Sequence, residues 1–100
     1  MAVYSAVFTF SEEPCITASL NASTASSAIL LGTSRNFAIV ASGAFCLTMG
    51  GSTMSAATAS AFEFPGGAVF TVATSGATDH ISIYNPTASS ITYWIQPLAL

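Results

Sequence analysis

Apolar and polar side chains alternate with a period of two along most of this chain. Phe45, Leu47 and Met49 alternate with Ala44, Cys46 and Thr48; Ile81 and Ile83 alternate with His80, Ser82 and Tyr84; Ile91, Tyr93 and Ile95 alternate with Thr92, Trp94 and Gln96. That period puts one set of side chains on each face of an extended strand, and the Val, Ile, Thr, Phe, Tyr and Trp that crowd these windows fit a pleated surface. Residues 3–10, 16–20, 28–31, 37–41 and 68–74 carry the same signal. Turn residues separate the runs, at Ser42-Gly43, Gly50-Gly51-Ser52, Pro65-Gly66-Gly67, Ser75-Gly76, Asn85-Pro86 and Ser89-Ser90. From Phe37 onward one strand and its turn occupy about 8–12 residues, the spacing of a sandwich or barrel. The Ala-rich stretch 55–61 contains Ser and Thr that favour a loop leading into Phe62-Glu63-Phe64. The expected fold is a single all-β domain spanning residues 1–100, an antiparallel β-sandwich. Residues 1–13 form a further strand or an arm used in assembly.

Several of these strands are apolar on both faces. Tyr4, Phe8 and Phe10 stand opposite Val3 and Val7, Trp94 stands opposite Tyr93, and Phe70 and Val72 stand opposite Val69. A free sandwich alternates apolar-in with polar-out. A domain of 100 residues covers only one face of each sheet from its own chain, so the second apolar face is expected to meet other subunits. Tyr4, Phe8, Phe10, Tyr93 and Trp94 are the candidates for that contact.

Composition sharpens this picture. Hydrophobic residues make up 52% of the chain and charged residues 5%, where an ordinary soluble domain carries about 25% charged. The charges are Glu12, Glu13, Arg35, Glu63 and Asp79, and lysine is absent. One arginine cannot line a groove that tracks phosphates, so nucleic acid is not an expected partner. A membrane is not expected either. The uncharged stretch 14–34 contains Asn21 and many hydroxyl side chains, and 36–62 is cut by Gly43, Gly50 and Gly51. The opening ten residues have no basic region and lead to Glu12-Glu13-Pro14, which argues against a secretory signal.

Catalytic chemistry finds little to work with. The single histidine, His80, follows Asp79, and neighbours on one strand point to opposite faces, so an orienting pair is not expected. Glu12-Glu13 lies on a turn before Pro14 instead of converging across a cleft. Cys15, Cys46 and His80 lack the spacing of a zinc site, and the Gly50-Gly51 and Gly66-Gly67 pairs have neither a lysine nor a following helix to hold phosphate. No enzyme, metal or cofactor is expected. Both cysteines read as free thiols.

From Arg35 to Leu98 the order of features resembles the small β-rich decoration or cement proteins of tailed bacteriophages. The resemblance rests on the strand pair 36–41 and 45–50, the loop Ala57-Thr58-Ala59-Ser60 before Phe62-Glu63-Phe64-Pro65, then Phe70-Thr71-Val72, Asp79-His80-Ile81-Ser82-Ile83 and Ile91-Thr92-Tyr93-Trp94-Ile95. It implies a jelly-roll-like sandwich without catalysis. It also implies oligomers, commonly trimers, seated on the major capsid protein at the outside of a virion whose parts are made in the host cytoplasm. The alternatives are another phage part, such as a head-fibre base, tail component or small shell subunit, or a module that binds surface glycans.

Overall fold

The computed structural model describes residues 14–31, 36–74 and 78–98. The expected strand at 3–10, with Tyr4, Phe8 and Phe10, lies outside them. Eight strands are present in the described chain: β1 (Ile16–Leu20), β2 (Ile29–Leu30), β3 (Asn36–Ala41), β4 (Phe45–Gly50), β5 (Phe62–Phe64), β6 (Phe70–Ala73), β7 (His80–Tyr84) and β8 (Ile91–Leu98). They form two four-stranded sheets, ordered β1-β8-β3-β6 and β2-β7-β4-β5. Every pairing is antiparallel. The fold is therefore an all-β, two-sheet antiparallel sandwich.

The alternation read from sequence is what closes it. Ile91, Tyr93 and Ile95 of β8 point inward with Phe37, Ile39 and Ala41 of β3, and they meet Phe45 and Leu47 of β4 and Ile81 and Ile83 of β7. Ile39, Phe45, Ile81, Ile83 and Ile95 are wholly buried. Each such side chain contributes about 1.5–3 kcal/mol relative to leaving it in water. Ile16, Ile29, Phe64, Phe70 and Val72 pack on the rim of this core from the four edge strands.

Three readings of the sequence change. First, β6 is apolar on one face only: Phe70 and Val72 turn inward and Thr71 and Ala73 outward, while Val69 precedes the strand and is exposed. Second, β8 runs past Ile95 to Leu98, with Pro97 opposite Phe37. Third, the chain itself covers part of the outer face of the second sheet. Cys46 and Ser82 are wholly buried although the alternation turns them away from the core, and over Ser82 lie the β4–β5 and β1–β2 loops. Ser82 Oγ accepts the Ala57 N–H at 2.9 Å and donates to the Ser26 carbonyl at 2.8 Å, while Ser26 Oγ accepts the Ile83 N–H at 2.9 Å. One buried hydroxyl thus tethers two loops to the middle of β7.

Turns at one end are held by close approach. A side chain on Gly66 would place its Cβ 2.5 Å from the backbone of Gly43, and Gly67, at φ 81°, donates its N–H to the Ala41 carbonyl at 2.8 Å. Any side chain at Gly66 would collide with the Gly43 backbone, and glycine adopts the left-handed conformation at Gly67 without steric cost.

Asn85 is the largest wholly buried polar side chain among the described residues. Its Nδ2 donates to the carbonyls of Leu20, Asn21 and Ser89 at 3.2, 3.1 and 2.7 Å, and its Oδ1 accepts the Thr87 N–H at 2.9 Å and the Thr87 hydroxyl at 2.7 Å. The amide ties the end of β1 to the β7–β8 loop and leaves none of its own polar atoms unpaired. Asn85→Ala should therefore cost about 1–3 kcal/mol, because it removes these bonds and takes one partner from the buried Leu20 carbonyl. Urea melts of the two proteins measure the difference; a loss below about 1 kcal/mol would show that water replaces the amide.

Candidate functional site

Five residues were expected to form an assembly surface. Tyr4, Phe8 and Phe10 lie outside the described residues. The structure separates the other two. Tyr93 is only 4% exposed and belongs to the core between the sheets, where burial pushes its phenol pKa up. It cannot line an external contact, because the period of two that turns Trp94 outward turns its neighbour inward. Trp94 is 40% exposed on the outer face of the first sheet. There it stands between Thr17 of β1 and Val40 of β3. Around it the same face carries Ser19, Thr92, Gln96, Ala38 and Thr71, with Ser19 and Thr92 joined through their hydroxyls at 3.2 Å. None of the four strands of this sheet contains a charged residue.

A second apolar surface escaped the sequence reading. β5 and β6 are the edges of their respective sheets and lie on the same side of the sandwich. Phe64 meets Phe70 edge-on at 5.0 Å across the gap between them, stacks on Phe45 of the neighbouring β4 at 5.0 Å, and meets Phe62 of its own strand edge-on at 5.0 Å. Such ring pairs add about 0.5–1.5 kcal/mol each beyond area burial. The cluster is open outward: Phe62 is 73% exposed and Val69 57%. The signal was present in Phe62-Glu63-Phe64, whose two rings share one face of a strand with a carboxylate on the other.

Asp79 and His80 do pair, against expectation. His80 Nδ1 and Asp79 Oδ1 are 2.7 Å apart, because Asp79 precedes β7 and its backbone is free of the strand's alternation. The hydrogen bond to His80 holds the Asp79 carboxyl below its ordinary range. Both thiols are free, Cys15 exposed and Cys46 buried, and burial together with nearby Glu63 pushes the Cys46 pKa up. Among the described residues there is no group of three or more His, Cys, Asp or Glu side chains that could hold a metal ion. Nor does any helix among them have the length and apolarity to cross a membrane.

Two expectations follow. In the native protein a disulfide-exchange reagent should titrate Cys15 quickly and Cys46 only after denaturant is added; rapid loss of both thiols would mean that the native fold opens freely around Cys46. The Asp79 carboxyl is lowered on folding, so its stabilising contribution is complete above the unfolded value of 3.8 and disappears as pH falls through the lower folded value. Denaturation midpoints of wild type and Asp79→Asn should differ at pH 6 and converge in strong acid; a gap that persists there would trace to backbone changes in the turn.

No family model, curated protein or solved structure matches this chain.

Proposed function

We propose that this chain is a structural subunit of a virus particle, a decoration or cement protein that binds the major capsid protein of a tailed phage and copies of itself. The observation that carries the reading is the outer face of the first sheet, where Trp94 stands exposed on four strands without one charged residue. Isolated in water, such a surface has little to keep copies apart. Docked on protein, it offers an aromatic anchor ringed by hydroxyls, a combination suited to the centre of an interface.

The strand order supports the finer assignment of a jelly roll. With β1 to β8 taken in sequence, six of the seven connections pass from one sheet to the other, and only β4–β5 is a hairpin within a sheet. Both sheets thus interleave strands from the two ends of the chain, as two nested Greek keys do. Jelly rolls occur in viral capsid and lectin domains alike, so this support is at the level of fold. The glycan-binding reading keeps one specific observation in its favour, the exposed Trp94 ring among hydroxyl side chains.

Copy number separates these readings. Quantitative mass spectrometry of purified source particles should find the chain in hundreds of copies; tens or fewer would indicate a tail or fibre part, and none would end the virion reading. Trp94→Asp should leave the fold intact and abolish binding to capsids, since the carboxylate would be desolvated without a partner. Retained binding would remove this face from the contact.

A further inference from the structure

Along one side of β7 the partner backbone slips by one residue. Ala25 bridges to Tyr84 and Ile29 pairs with Ile81, so three residues, Ser26, Ser27 and Ala28, lie against two, Ser82 and Ile83. Such a bulge breaks the ladder locally and re-aims the side chains beside it. Here two hydroxyls fill the break. The Ser26 N–H donates to the Ile83 carbonyl at 2.7 Å, but the return bond runs from the Ile83 N–H to Ser26 Oγ at 2.9 Å, and the Ser26 carbonyl accepts from Ser82 Oγ at 2.8 Å. In an unbroken antiparallel pair the two backbones would exchange both bonds directly.

The Ser82 hydroxyl has one proton, and this geometry commits it to Ser26. Its oxygen is left to accept, and it takes the Ala57 N–H of the β4–β5 loop at 2.9 Å. Ala57 is 4% exposed, whereas Ser55, Ala56, Thr58, Ala59 and Ser60 on either side of it are exposed, so the loop is pinned at this one residue. The Ala57 N–H, the Ser82 hydroxyl and the Ser26 carbonyl thus form a single donor–acceptor chain, in which each bond polarises and strengthens the other. Loss of either end weakens the rest. Ser82 is wholly buried, and a buried hydroxyl stripped of a partner is costly, which favours states with both bonds made or both exchanged for water.

We propose that Ser82 is a clasp: residues 24–26 and the β4–β5 loop release from β7 together, in an opening that leaves the core between the sheets closed. Ile81 and Ile83 belong to that core and hold β7 in place while its outer row opens. Release uncovers the Ser82 hydroxyl and the Ile83 N–H, polar groups that the closed form satisfies internally. The clasp is independent of the virion reading.

Native-state hydrogen exchange of the purified chain, read amide by amide by NMR, tests the coupling from both ends. In wild type the amides of Ser26, Ala57 and Ile83 should share one protection factor and one dependence on dilute urea, both smaller than those of the amides in β3 and β8. Ser82→Ala removes both bonds of the clasp and should speed exchange at all three positions by a common factor of roughly fivefold or more. Ser26→Ala keeps the Ser26 carbonyl and both bonds of Ser82, and removes only the acceptor of the Ile83 N–H. It should nevertheless speed exchange at Ala57 by roughly fivefold, the equivalent of one neutral hydrogen bond, because coupling between two sites is reciprocal. Ala57 at its wild-type rate in Ser26→Ala, or Ser26 at its wild-type rate in Ser82→Ala, would overturn the proposal, since the two segments would then open separately. Protection and urea dependence at these amides equal to those in β3 and β8 would overturn it as well, since the segments would then open only when the whole sandwich unfolds.

Discussion

Burial between two sheets is the interaction on which the rest of this structure depends. The inward rows of β3, β8, β4 and β7 form one apolar layer in which Ile39, Phe45, Ile81, Ile83 and Ile95 see no water. Because successive strands mostly belong to opposite sheets, neither sheet is built from one contiguous stretch of chain. Ile16 pairs with Ile95 and Leu20 with Ile91, so the first described strand has its ladder partner in the last one. Contacts so distant in sequence are slow to form, since the chain loses loop entropy before it gains burial.

Much of this was legible in the chain. Alternation located β1, β3, β4, β7 and the start of β8, since half-buried strands in a sandwich are the elements that write their environment directly into sequence. Less legible was what covers the outer faces. Residues 55–61 read as a loop, and nothing in their composition says that the Ala57 N–H reaches the buried Ser82 hydroxyl across 25 positions. The same blindness applied to the site. Trp94 was found because its own strand shows which face it occupies, whereas the aromatic cluster depends on Phe45, Phe64 and Phe70 from three strands meeting at one edge. Tyr93 was counted with Trp94 among the contact residues although alternation already set the two on opposite faces, and Asp79 was denied its histidine because the strand was extended one residue too far.

Polar groups here do the work that charge does in more ordinary domains. Asn85 and Ser82 bridge segments far apart in sequence with neutral hydrogen bonds, all satisfied. Neutral hydrogen bonds are little affected by ionic strength, and buried amides or hydroxyls escape the desolvation that a buried ion pair would impose. The cost falls on the surface, where few ionised groups remain to oppose association.

Asn85 has one more property that follows from its neighbour. Asparagine in proteins commonly decays when the next residue's amide nitrogen attacks the side-chain carbonyl and closes a cyclic imide, which opens to an aspartate or its isomer. Here the next residue is Pro86, whose ring nitrogen carries no hydrogen to lose. With its Oδ1 held by Thr87 and its Nδ2 by three carbonyls, the amide at the centre of the β1 and β7–β8 junction is shielded from that route of chemical ageing. At Asn85 the route of decay through the following backbone nitrogen is thus closed by the sequence and opposed again by the fold.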